Sequence, residues 1–554
     1  MGWWMILATC VSAVILTVYR HAAFTCLLES SPKPNVLFIV VDDLRPALGI
    51  FGDSLAKTPN LDQLGARSLV FTKALAQQAL CGPSRTSFLT SRRPDHTKLY
   101  DFGSYWRDAG GNFSTLPQYF KENGYHCHSI GKVFHPDIVS NFSDDSPYSW
   151  SQTPYHPSTQ VFKNAAVCPD PLSGEKFANL LCAVDLESQP EGTLPDLQIK
   201  TAAIEFLERW KSHPEKENPF FLAVGLHKPH VPYRIPKEYL ALHPLEQIPL
   251  PKYPEVPPDL PLIAFNPWES LRRRDDIDRL NISFPIGRMP ESYQRLIFQY
   301  YYASVTYIDD QIGQILERLV QLELSQNIVV SFLGDHGYGL GENSEYGKFS
   351  NFDVATKTPW MLHNPKSMPR LSSFKYVNPF SMSKEVPQKP LVPYQTHSTP
   401  VELLDVFPTL VATTGLEPVP LCLEGEAQTK MLCTEGQVRL GKNVPLAFCQ
   451  YPRPAKIPVK KFDQPKLATI KFMGYSVTSE HFRYTRWLPF DHHTFLANWS
   501  HTVAHELYFH DQDPIEHFNL VSHAEFQPTV RRLQDIVKTK FGSPSLKTKQ
   551  EVQV

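Results

Sequence analysis

Three short apolar runs, each followed at once by charged or histidine side chains, constrain the fold of this 554-residue chain most strongly. Asn35–Val41, Phe220–Gly225 and Ile328–Leu333 are rich in branched and aromatic residues and do not alternate with polar positions. Continuous apolar runs of this kind predict parallel strands that are buried on both faces. Because the carboxyl ends of parallel strands meet at one edge of a sheet, we expect the polar residues that follow them to converge.

Helical patterns separate these strands and place the chain in the α/β class. Apolar residues recur at helical spacing from Leu296 to Leu319, and a shorter helix is expected over Thr115–Asn123 before Gly124. Strands that alternate with helices predict a sheet covered by helices on its faces. We therefore expect a large central, mostly parallel sheet flanked by helices, which forms a domain over residues 34–445.

A smaller C-terminal subdomain is predicted over residues 446–554. It contains three strand-like segments and a last helix, at Ala468–Val477, Phe482–Trp487, Glu506–Phe509 and Thr529–Val537. This order predicts an antiparallel sheet with a covering helix. Before it, the Ser- and Pro-rich stretch 370–400 is expected to be a long loop and Leu403–Thr414 a helix.

Residues 1–26 are predicted to be a targeting segment. The apolar run Met5–Tyr19 is closed by Arg20, and it is shorter than the ~20 residues that span a bilayer, so a signal peptide is favoured. Adding Gly2 and the two tryptophans after it lengthens the run, which leaves an uncleaved anchor open as the alternative. Four Asn-x-Ser sequons favour a glycosylated surface in the secretory pathway, at Asn112, Asn141, Asn281 and Asn498.

Cysteine spacing agrees with an oxidising compartment. Of the nine cysteines, two pairs that are close in sequence are predicted to be local disulfides, Cys168–Cys182 and Cys422–Cys433. Cys127 and Cys449 are expected to be buried thiols. Cys81 lies in a different sequence context.

The charge balance excludes nucleic acid as a partner. The formal net charge is −2 and the isoelectric point is near 6.9, so the chain has no global basic field. A local run of charges, Arg272 to Asp276, mixes both signs. We expect this run to be a solvated face.

Cys81 begins the run CGPSRTSFLTSR, which ends at Arg92. The run resembles the signature by which type I sulfatases are recognised for oxidation of their cysteine to formylglycine. The resemblance implies an alkaline-phosphatase-like sulfatase fold, a formylglycine made from Cys81 by a formylglycine-generating enzyme, and a catalytic role for Arg85. Ser91 departs from the family pattern, which usually has glycine at that position.

The chemistry of a sulfate ester explains why such a site needs more than a thiol. The ester is an anion, so a divalent cation and fixed positive groups must offset its repulsion of a nucleophile. A hydrated aldehyde has two hydroxyl groups on one carbon. One can attack sulfur, and the other can expel sulfate by restoring the aldehyde, whereas a plain serine or cysteine adduct would stall.

The resemblance also implies a metal site and a set of cationic and acid–base residues. The implied metal ligands are Asp42, Asp43, Cys81, Asp335 and His336. Hard oxygen ligands suit Ca²⁺ or Mg²⁺, of which we expect Ca²⁺, although many sulfatases have asparagine in place of His336. The remaining implied catalytic residues are Lys132, His135, His230 and Lys348.

Segments along most of the chain, such as FFLAVGLHKPH (220–230) and KFSNFDVAT (348–356), are similar to family members that act on glycosaminoglycans. This implies removal of the 2-O-sulfate of terminal iduronate in heparan sulfate and dermatan sulfate. It also implies sulfated glycosaminoglycan oligosaccharides as substrates, delivery to the lysosome by a sorting receptor that binds glycans, and a monomer. Departures near the site occur at Tyr338, Gly339, Asn343 and Tyr346.

Two other functions remain open at the level of sequence. One is a phosphatase or phosphodiesterase of the same superfold, a class that commonly uses serine or threonine as nucleophile and two close metal ions. The other is a non-enzymatic glycan-binding protein that retains the fold. Ser91 and the anchor-like leader are the features that favour this second alternative.

Overall fold

The structure is a computed structural model, and it describes residues 32–170, 173–213, 218–381, 391–420, 423–428 and 445–542. The predicted targeting segment 1–26 and the predicted Cys422–Cys433 disulfide lie outside the described residues. The Cys168–Cys182 disulfide is present, and Cys127 and Cys449 are buried free thiols, as predicted. All four sequon asparagines are exposed. Among the described helices, none combines the length and apolar composition needed to cross a bilayer.

A mixed, mostly parallel sheet of eight strands forms the centre of the molecule. Its strands are β1 (Asn35–Val41), β2 (Leu69–Leu75), β3 (His126–Gly131), β4 (Phe220–Leu226), β5 (Ile328–Gly334), β6 (Lys357–His363), β7 (Gln395–His397) and β8 (Val401–Glu402). Their order is β7-β2-β6-β5-β1-β4-β3, and β8 also pairs with β2. β6 runs antiparallel to both of its neighbours, and every other pairing is parallel. The predicted fold class is therefore confirmed.

Helices cover both faces of this sheet. They are α1 (Pro59–Gly65), α2 (Cys81–Thr90), α3 (Leu116–Glu122), α4 (Pro195–Ser212), α5 (Glu291–Gln321) and α6 (Val406–Thr414). Alternate residues of β1 pack into two separate cores: Leu37 and Ile39 contribute to the core beneath α4 and α5, and Val36 and Phe38 to the core beneath α2, α3 and α6. Burial on both faces explains why the sequence of β1 is continuously apolar.

Sequence analysis missed several strands because their residues are not continuously apolar. β3 has the sequence HCHSIG and forms the edge of the sheet next to β4, and β2 contains Thr72 and Lys73 but lies inside the sheet. β7 falls within the stretch 370–400 that was predicted to be a loop, and it forms an edge of the sheet next to β2. In these strands backbone pairing with the neighbouring strands decides the structure, and local composition does not.

The C-terminal region forms the predicted second sheet. Its strands are β9 (Ala447–Arg453), β10 (Phe472–Thr478), β11 (Phe482–Asp491), β12 (Leu496–Ala497) and β13 (Ala504–Phe509), followed by helix α7 (Gln527–Gly542). All its strand pairings are antiparallel. α7 packs on the sheet through Val530, Leu533 and Val537, which belong to one core with Tyr475 and Leu507.

A buried ionic cluster joins this sheet to the loop that precedes β6. Glu516 accepts hydrogen bonds from Arg483 Nε and His510 Nε2, each at 2.7 Å, and from the backbone NH of Asp353 at 2.7 Å. Burial opposes ionisation of Glu516, but Arg483 and His510 together hold the pKa of this carboxyl below its usual value. Burial likewise disfavours protonated His510, and Glu516 outweighs it and raises the pKa of His510.

We predict that His510→Gln destabilises the protein more in acid than in base. The raised pKa of His510 gives stability that is complete below its unfolded value of about 6.5 and is lost as pH rises through the folded value. The lowered pKa of Glu516 gives stability that is lost only as pH falls through its own folded value. The free energy of unfolding should therefore fall by about 1.5–3 kcal/mol near pH 5.5 and by less near pH 8.5.

Chemical denaturation of both proteins at the two pH values provides the measurement. The exposed His523 offers a matched control, since His523→Gln removes a histidine that lies outside this cluster. An equal loss at both pH values would show that the charge of His510 contributes nothing to this contact.

Candidate active site

Four neighbouring parallel strands place the predicted site residues together. In the order β5-β1-β4-β3, their carboxyl ends lead to Asp335 and His336, to Asp42 and Asp43, to the His227–His230 turn, and to Lys132. Because these strands are parallel, the residues that follow them emerge at one edge of the sheet. The expected convergence of polar strand ends is therefore observed.

Cys81 lies at the same edge of the sheet, in the first turn of α2. Its Sγ lies 3.3 Å from Asp42 Oδ1, 3.5 Å from His336 Nε2 and 2.8 Å from Lys348 Nζ. Burial, and then the charge of Asp42, raises the pKa of the Cys81 thiol to about 12. An unmodified thiol in this place would stay protonated, and a protonated thiol is a poor nucleophile.

Three buried carboxylates are balanced by three buried cations around Cys81. Arg85 bridges two of the acids: its Nη2 lies 3.1 Å from Asp42 Oδ1, and its Nε lies 3.0 Å from Asp335 Oδ2. Lys132 Nζ lies 2.6 Å from the other oxygen of Asp42. Burial opposes the charge on Asp42, but Lys132 and Arg85 outweigh it and hold the pKa of Asp42 well below its usual value.

The fourth ion pair of this network joins Lys348 to Asp43. Lys348 Nζ lies 2.5 Å from Asp43 Oδ1, and the NH of Asp43 donates to Asp335 Oδ1 at 3.0 Å. Burial disfavours the Lys348 ammonium, but Asp43 and Cys81 raise the pKa of Lys348 above its usual value. For Asp43 itself, burial is the largest effect and raises the pKa, and Lys348 does not outweigh burial together with the negative charges of Asp42 and Asp335.

The donor set around Cys81 fits a divalent cation. Asp42, Asp43, Cys81 and His336 each offer a ligand atom, and these atoms lie within 4.8 Å of one another. Asp43 Oδ2 is buried and has no hydrogen-bond partner. His336 Nδ1 lies 2.9 Å from the Gly337 carbonyl, which can only accept, so Nε2 is left as an acceptor that faces carboxylate oxygens. A cation among these atoms would satisfy them all.

Asp335 adjoins this group but already accepts two hydrogen bonds, from Arg85 and from the Asp43 backbone. Its Oδ2 lies 3.5 Å from His336 Nε2. A carboxylate oxygen has a second lone pair, so these bonds still allow Asp335 to bind a metal. The structure thus brings all five predicted metal ligands together.

We predict that Ca²⁺ added to chelated protein raises its melting temperature, since a cation that binds only the folded site stabilises it. Asp43→Asn and Asp335→Asn should lose this rise, because each removes charge from the donor set. Asp259→Asn, at an exposed carboxylate, is the matched control and should keep it. An undiminished rise in both site variants would place the metal elsewhere, and metal analysis of the native protein gives the stoichiometry.

Lys132 reaches the site because two glycines allow β3 and β4 to approach closely. The Lys132 NH donates to the Gly225 carbonyl at 2.8 Å, and a Cβ on Gly225 would lie 2.0 Å from the Lys132 carbonyl oxygen. Gly131 also has a φ of +78°, which disfavours any side chain. The close approach of the two strands therefore explains why glycine precedes Lys132.

His135 lies at the wall of the same cleft. Its ring packs on Phe102, with centroids 4.5 Å apart, and its Nδ1 is buried without a hydrogen-bond partner. Burial, followed by repulsion from Lys132, lowers the pKa of His135 well below its usual value. A neutral imidazole with a free ring nitrogen can accept a proton, which is the role that the resemblance implies for it.

His230 points its Nε2 at the two aspartates after β1. Its Nδ1 lies 2.6 Å from the Val231 carbonyl and must carry the proton there, so Nε2 is the free acceptor in the neutral ring. Nε2 lies 4.0 Å from Asp42 Oδ2 and 3.9 Å from Asp43 Oδ2. Burial, and then Lys163, lowers the pKa of His230 well below its usual value, so His230 is neutral before a substrate binds.

Sequence analysis missed three cations that line the cleft. A cavity of about 480 Å³ opens above Cys81, and Lys163, Arg273 and Arg274 are among its walls. Lys163 Nζ lies 3.5 Å from His230 Nε2, and desolvation, followed by repulsion from Lys132, lowers the pKa of Lys163 to about 8. Lys163 belongs to no motif, so no sequence signal could have found it.

The prediction that Arg272 to Asp276 forms a solvated face was wrong in part. Asp276 is buried and accepts hydrogen bonds from the NH groups of Leu180 and Leu181, at 2.7 and 3.0 Å. The Arg272 guanidinium packs over the Trp268 ring at 3.7 Å. This packing turns Arg273 and Arg274 toward the cavity, which local charge alternation cannot indicate.

Ser91 ends α2 in the left-handed conformation, with φ of 53° and ψ of 39°. Glycine is favoured at such helix ends, which explains the family preference. Here the side chain forms compensating contacts: Ser91 Oγ donates to the Leu404 carbonyl at 2.8 Å and accepts from the Gly425 NH at 3.1 Å. Ser91 therefore caps the helix end and does not face the cavity.

The other departures have different surroundings. Tyr338 lines the cavity and stacks on Tyr301. Tyr346 packs against Trp268, and Asn343 Nδ2 donates to the Ile515 carbonyl at 2.8 Å. Of these three positions, Tyr338 is the one with direct access to the cleft.

Comparison with known proteins gives consistent results. Residues 34–416 match the Sulfatase family profile. The chain is 48% identical to human iduronate 2-sulfatase over 512 residues, which cover 89% of this chain and 92% of the human protein. The mouse iduronate 2-sulfatase is also 48% identical, over 92% of this chain and 97% of its own length. A sulfatase from Formosa agariphila is 30% identical over 70% of each chain.

Solved structures share the fold at low sequence identity. An enzyme in complex with its substrate D-glucosamine-2-N,6-O-disulfate aligns with a TM-score of 0.63 at 19% identity, over 94% of this chain and 100% of its own. The phosphonate monoester hydrolase of Agrobacterium radiobacter aligns with a TM-score of 0.65 at 19% identity, over 92% and 95%. The fold is therefore shared by hydrolases of different ester and phosphonate substrates, and it does not select one reaction.

Proposed function

The chain belongs to the sulfatase family, and from this premise we propose that it removes the 2-O-sulfate of terminal iduronate in heparan sulfate and dermatan sulfate. It is a sulfuric ester hydrolase. The choice of substrate rests on the 48% identity to two iduronate 2-sulfatases over about nine-tenths of the chain. The observation that carries the reaction is the position of Cys81, with its Sγ 3.3 Å from Asp42 and 2.8 Å from Lys348.

Formylglycine made from Cys81 would supply a hydrated aldehyde as nucleophile, and Ca²⁺ held by the five predicted ligands would supply positive charge beside it. The resident cations do the rest of the electrostatic work. Lys132 and Lys348 are each paired to an aspartate of the site, and they can both donate to sulfate oxygens. Arg85 bonds to Asp42 and Asp335, so its role is to orient these acids.

His230 is the group that protonates the sugar oxygen as the S–O bond breaks. It is neutral in the free protein, because burial and Lys163 lower its pKa. A bound sulfate ester adds negative charge beside it, which favours the imidazolium. The substrate thus creates its own general acid, and an acidic lysosome would assist. His135, neutral with an unpaired nitrogen, accepts the proton of the nucleophile's second hydroxyl when sulfate is released.

The proposal includes the predicted partners and location. A formylglycine-generating enzyme would act on the Cys81 segment before folding, because Cys81 is 1% exposed in the fold. The four exposed sequon asparagines would carry the glycans that a lysosomal sorting receptor binds. We also propose a monomer, and a division into a catalytic domain of residues 34–445 and a C-terminal subdomain of residues 446–554.

We predict that Cys81→Ser abolishes release of sulfate from a disaccharide with 2-sulfated iduronate at its non-reducing end. The loss should be at least roughly 10⁴-fold, because no aldehyde can form and the serine adduct cannot expel sulfate. Cys127→Ser is the matched control: it changes another buried thiol, which contacts the Pro117 carbonyl far from the site, and should keep activity. Mass spectrometry of the active protein should find the aldehyde at position 81, and an unmodified thiol in all active molecules would refute the mechanism.

A phosphate or phosphonate ester hydrolase is the second candidate, because the fold is shared with a phosphonate monoester hydrolase. The cysteine within the sulfatase signature and the single group of ligands among the described residues argue against it. Turnover of an aryl sulfate and the matching aryl phosphate separates the two. Preferred hydrolysis of the phosphate would overturn the proposed substrate class.

A further inference from the structure

The loop between β9 and β10 presents a uniformly positive surface at the mouth of the cleft. This loop comprises residues 454–471. Four lysines that precede Lys471 are exposed: Lys456, Lys460, Lys461 and Lys466. The one acid among them, Asp463, is buried and turned inward. Within the described residues, none of these four lysines has an ion pair with a carboxylate. The name basic loop is used below for residues 456–466.

The C-terminal half of the basic loop is fixed to the segment that leads to the two cleft arginines. The NH of Glu269 donates to Asp463 Oδ2 at 2.6 Å, and the NH of Phe462 donates to Glu269 Oε1 at 2.9 Å. Glu269 begins the short helix Glu269–Arg272, which leads directly to Arg273 and Arg274. Gln464 of the loop lines the same cavity as these arginines.

The residue that follows the basic loop is fixed near a second part of the cavity wall. The NH of Leu467 donates to Asp101 Oδ2 at 2.7 Å, and Asp101 precedes Phe102, which lines the cavity beside His135. The segment from Phe462 to Leu467 therefore connects two parts of the wall of the cavity that contains Cys81. A substrate chain that leaves the cavity on this side passes near the basic loop.

We propose that the basic loop binds the internal sulfate and carboxylate groups of a glycosaminoglycan chain whose terminal residue occupies the cleft. This inference rests on the proposed function. The terminal sugar fills the cavity, so the remaining sugars lie outside, where they carry repeated negative charges. Lysines without acidic partners attract such a polyanion, guide its approach and lose counterions when it binds. The effect should grow with chain length, since a disaccharide is too short to extend along the loop.

The test compares two triple variants of equal charge change. The loop variant is Lys456→Gln, Lys460→Gln and Lys461→Gln. The control variant is Lys33→Gln, Lys366→Gln and Lys375→Gln, whose lysines are exposed. Lys33 precedes β1 and Lys366 follows β6, which places both at the edge of the sheet opposite the site. Lys375 joins this edge through the bond from its NH to Gln63.

Sulfate release is measured from a disaccharide and from a long heparan sulfate oligosaccharide with the same 2-sulfated iduronate at the non-reducing end. For the loop variant, we expect kcat/KM on the long substrate to fall by at least about fivefold at low salt, with the disaccharide unchanged. The difference should shrink as salt is raised. The control variant should match the native protein on both substrates, and a loop variant with arginine at all three positions should retain full activity.

Several results would overturn the proposal. One is native-like turnover of the long substrate by the loop variant. Another is an equal loss of kcat/KM on both substrates, which would indicate a role in the cleft itself. Loss of binding to phosphatidylserine vesicles with unchanged turnover would identify a membrane as the ligand instead. If the native protein releases no sulfate from either substrate, the proposed function fails. Elution from immobilised heparan sulfate then decides the inference, and the loop variant must elute at lower salt than the control variant.

Discussion

The compensation of three buried carboxylates by three buried cations is the constraint on which the site depends. Asp42, Asp43 and Asp335 lie at the ends of adjacent strands, where unpaired they would strongly oppose folding. Arg85, Lys132 and Lys348 reach them from three other elements, so each cation helps to fix its element in place. The network is balanced by itself, and a divalent cation would give it the positive potential that an anionic ester requires.

This balance also makes an unmodified thiol at Cys81 a poor nucleophile. Burial and Asp42 keep it protonated, although Lys348 lies beside it. An environment that suppresses a thiolate is compatible with an aldehyde hydrate, which carries no charge until it reacts. The surrounding acids and cations therefore suit the modified residue better than the encoded one, and this favours formylglycine on electrostatic grounds.

The positive charge of the cleft extends from the nucleophile outward to the cavity wall. Lys132 and Lys348 flank the nucleophile, Lys163 contacts His230 further out, and Arg273 and Arg274 line the wall. The basic loop continues this distribution beyond the mouth. An otherwise nearly neutral protein thus concentrates cations along one path, which its net charge of −2 conceals.

The sequence by itself determined the strands that are buried on both faces, because β1, β4 and β5 must be continuously apolar, and it predicted the chemistry of Cys81 through its signature. It also indicated which strand ends would meet. Only the tertiary structure decided the rest. β3 and β2 are strands because they pair with neighbouring strands of the sheet in spite of polar residues, and Lys163, Arg273 and Arg274 enter the cleft because distant segments pack there. Contacts between residues far apart in the chain leave no local pattern, so a sequence read alone could not place these cations beside the nucleophile.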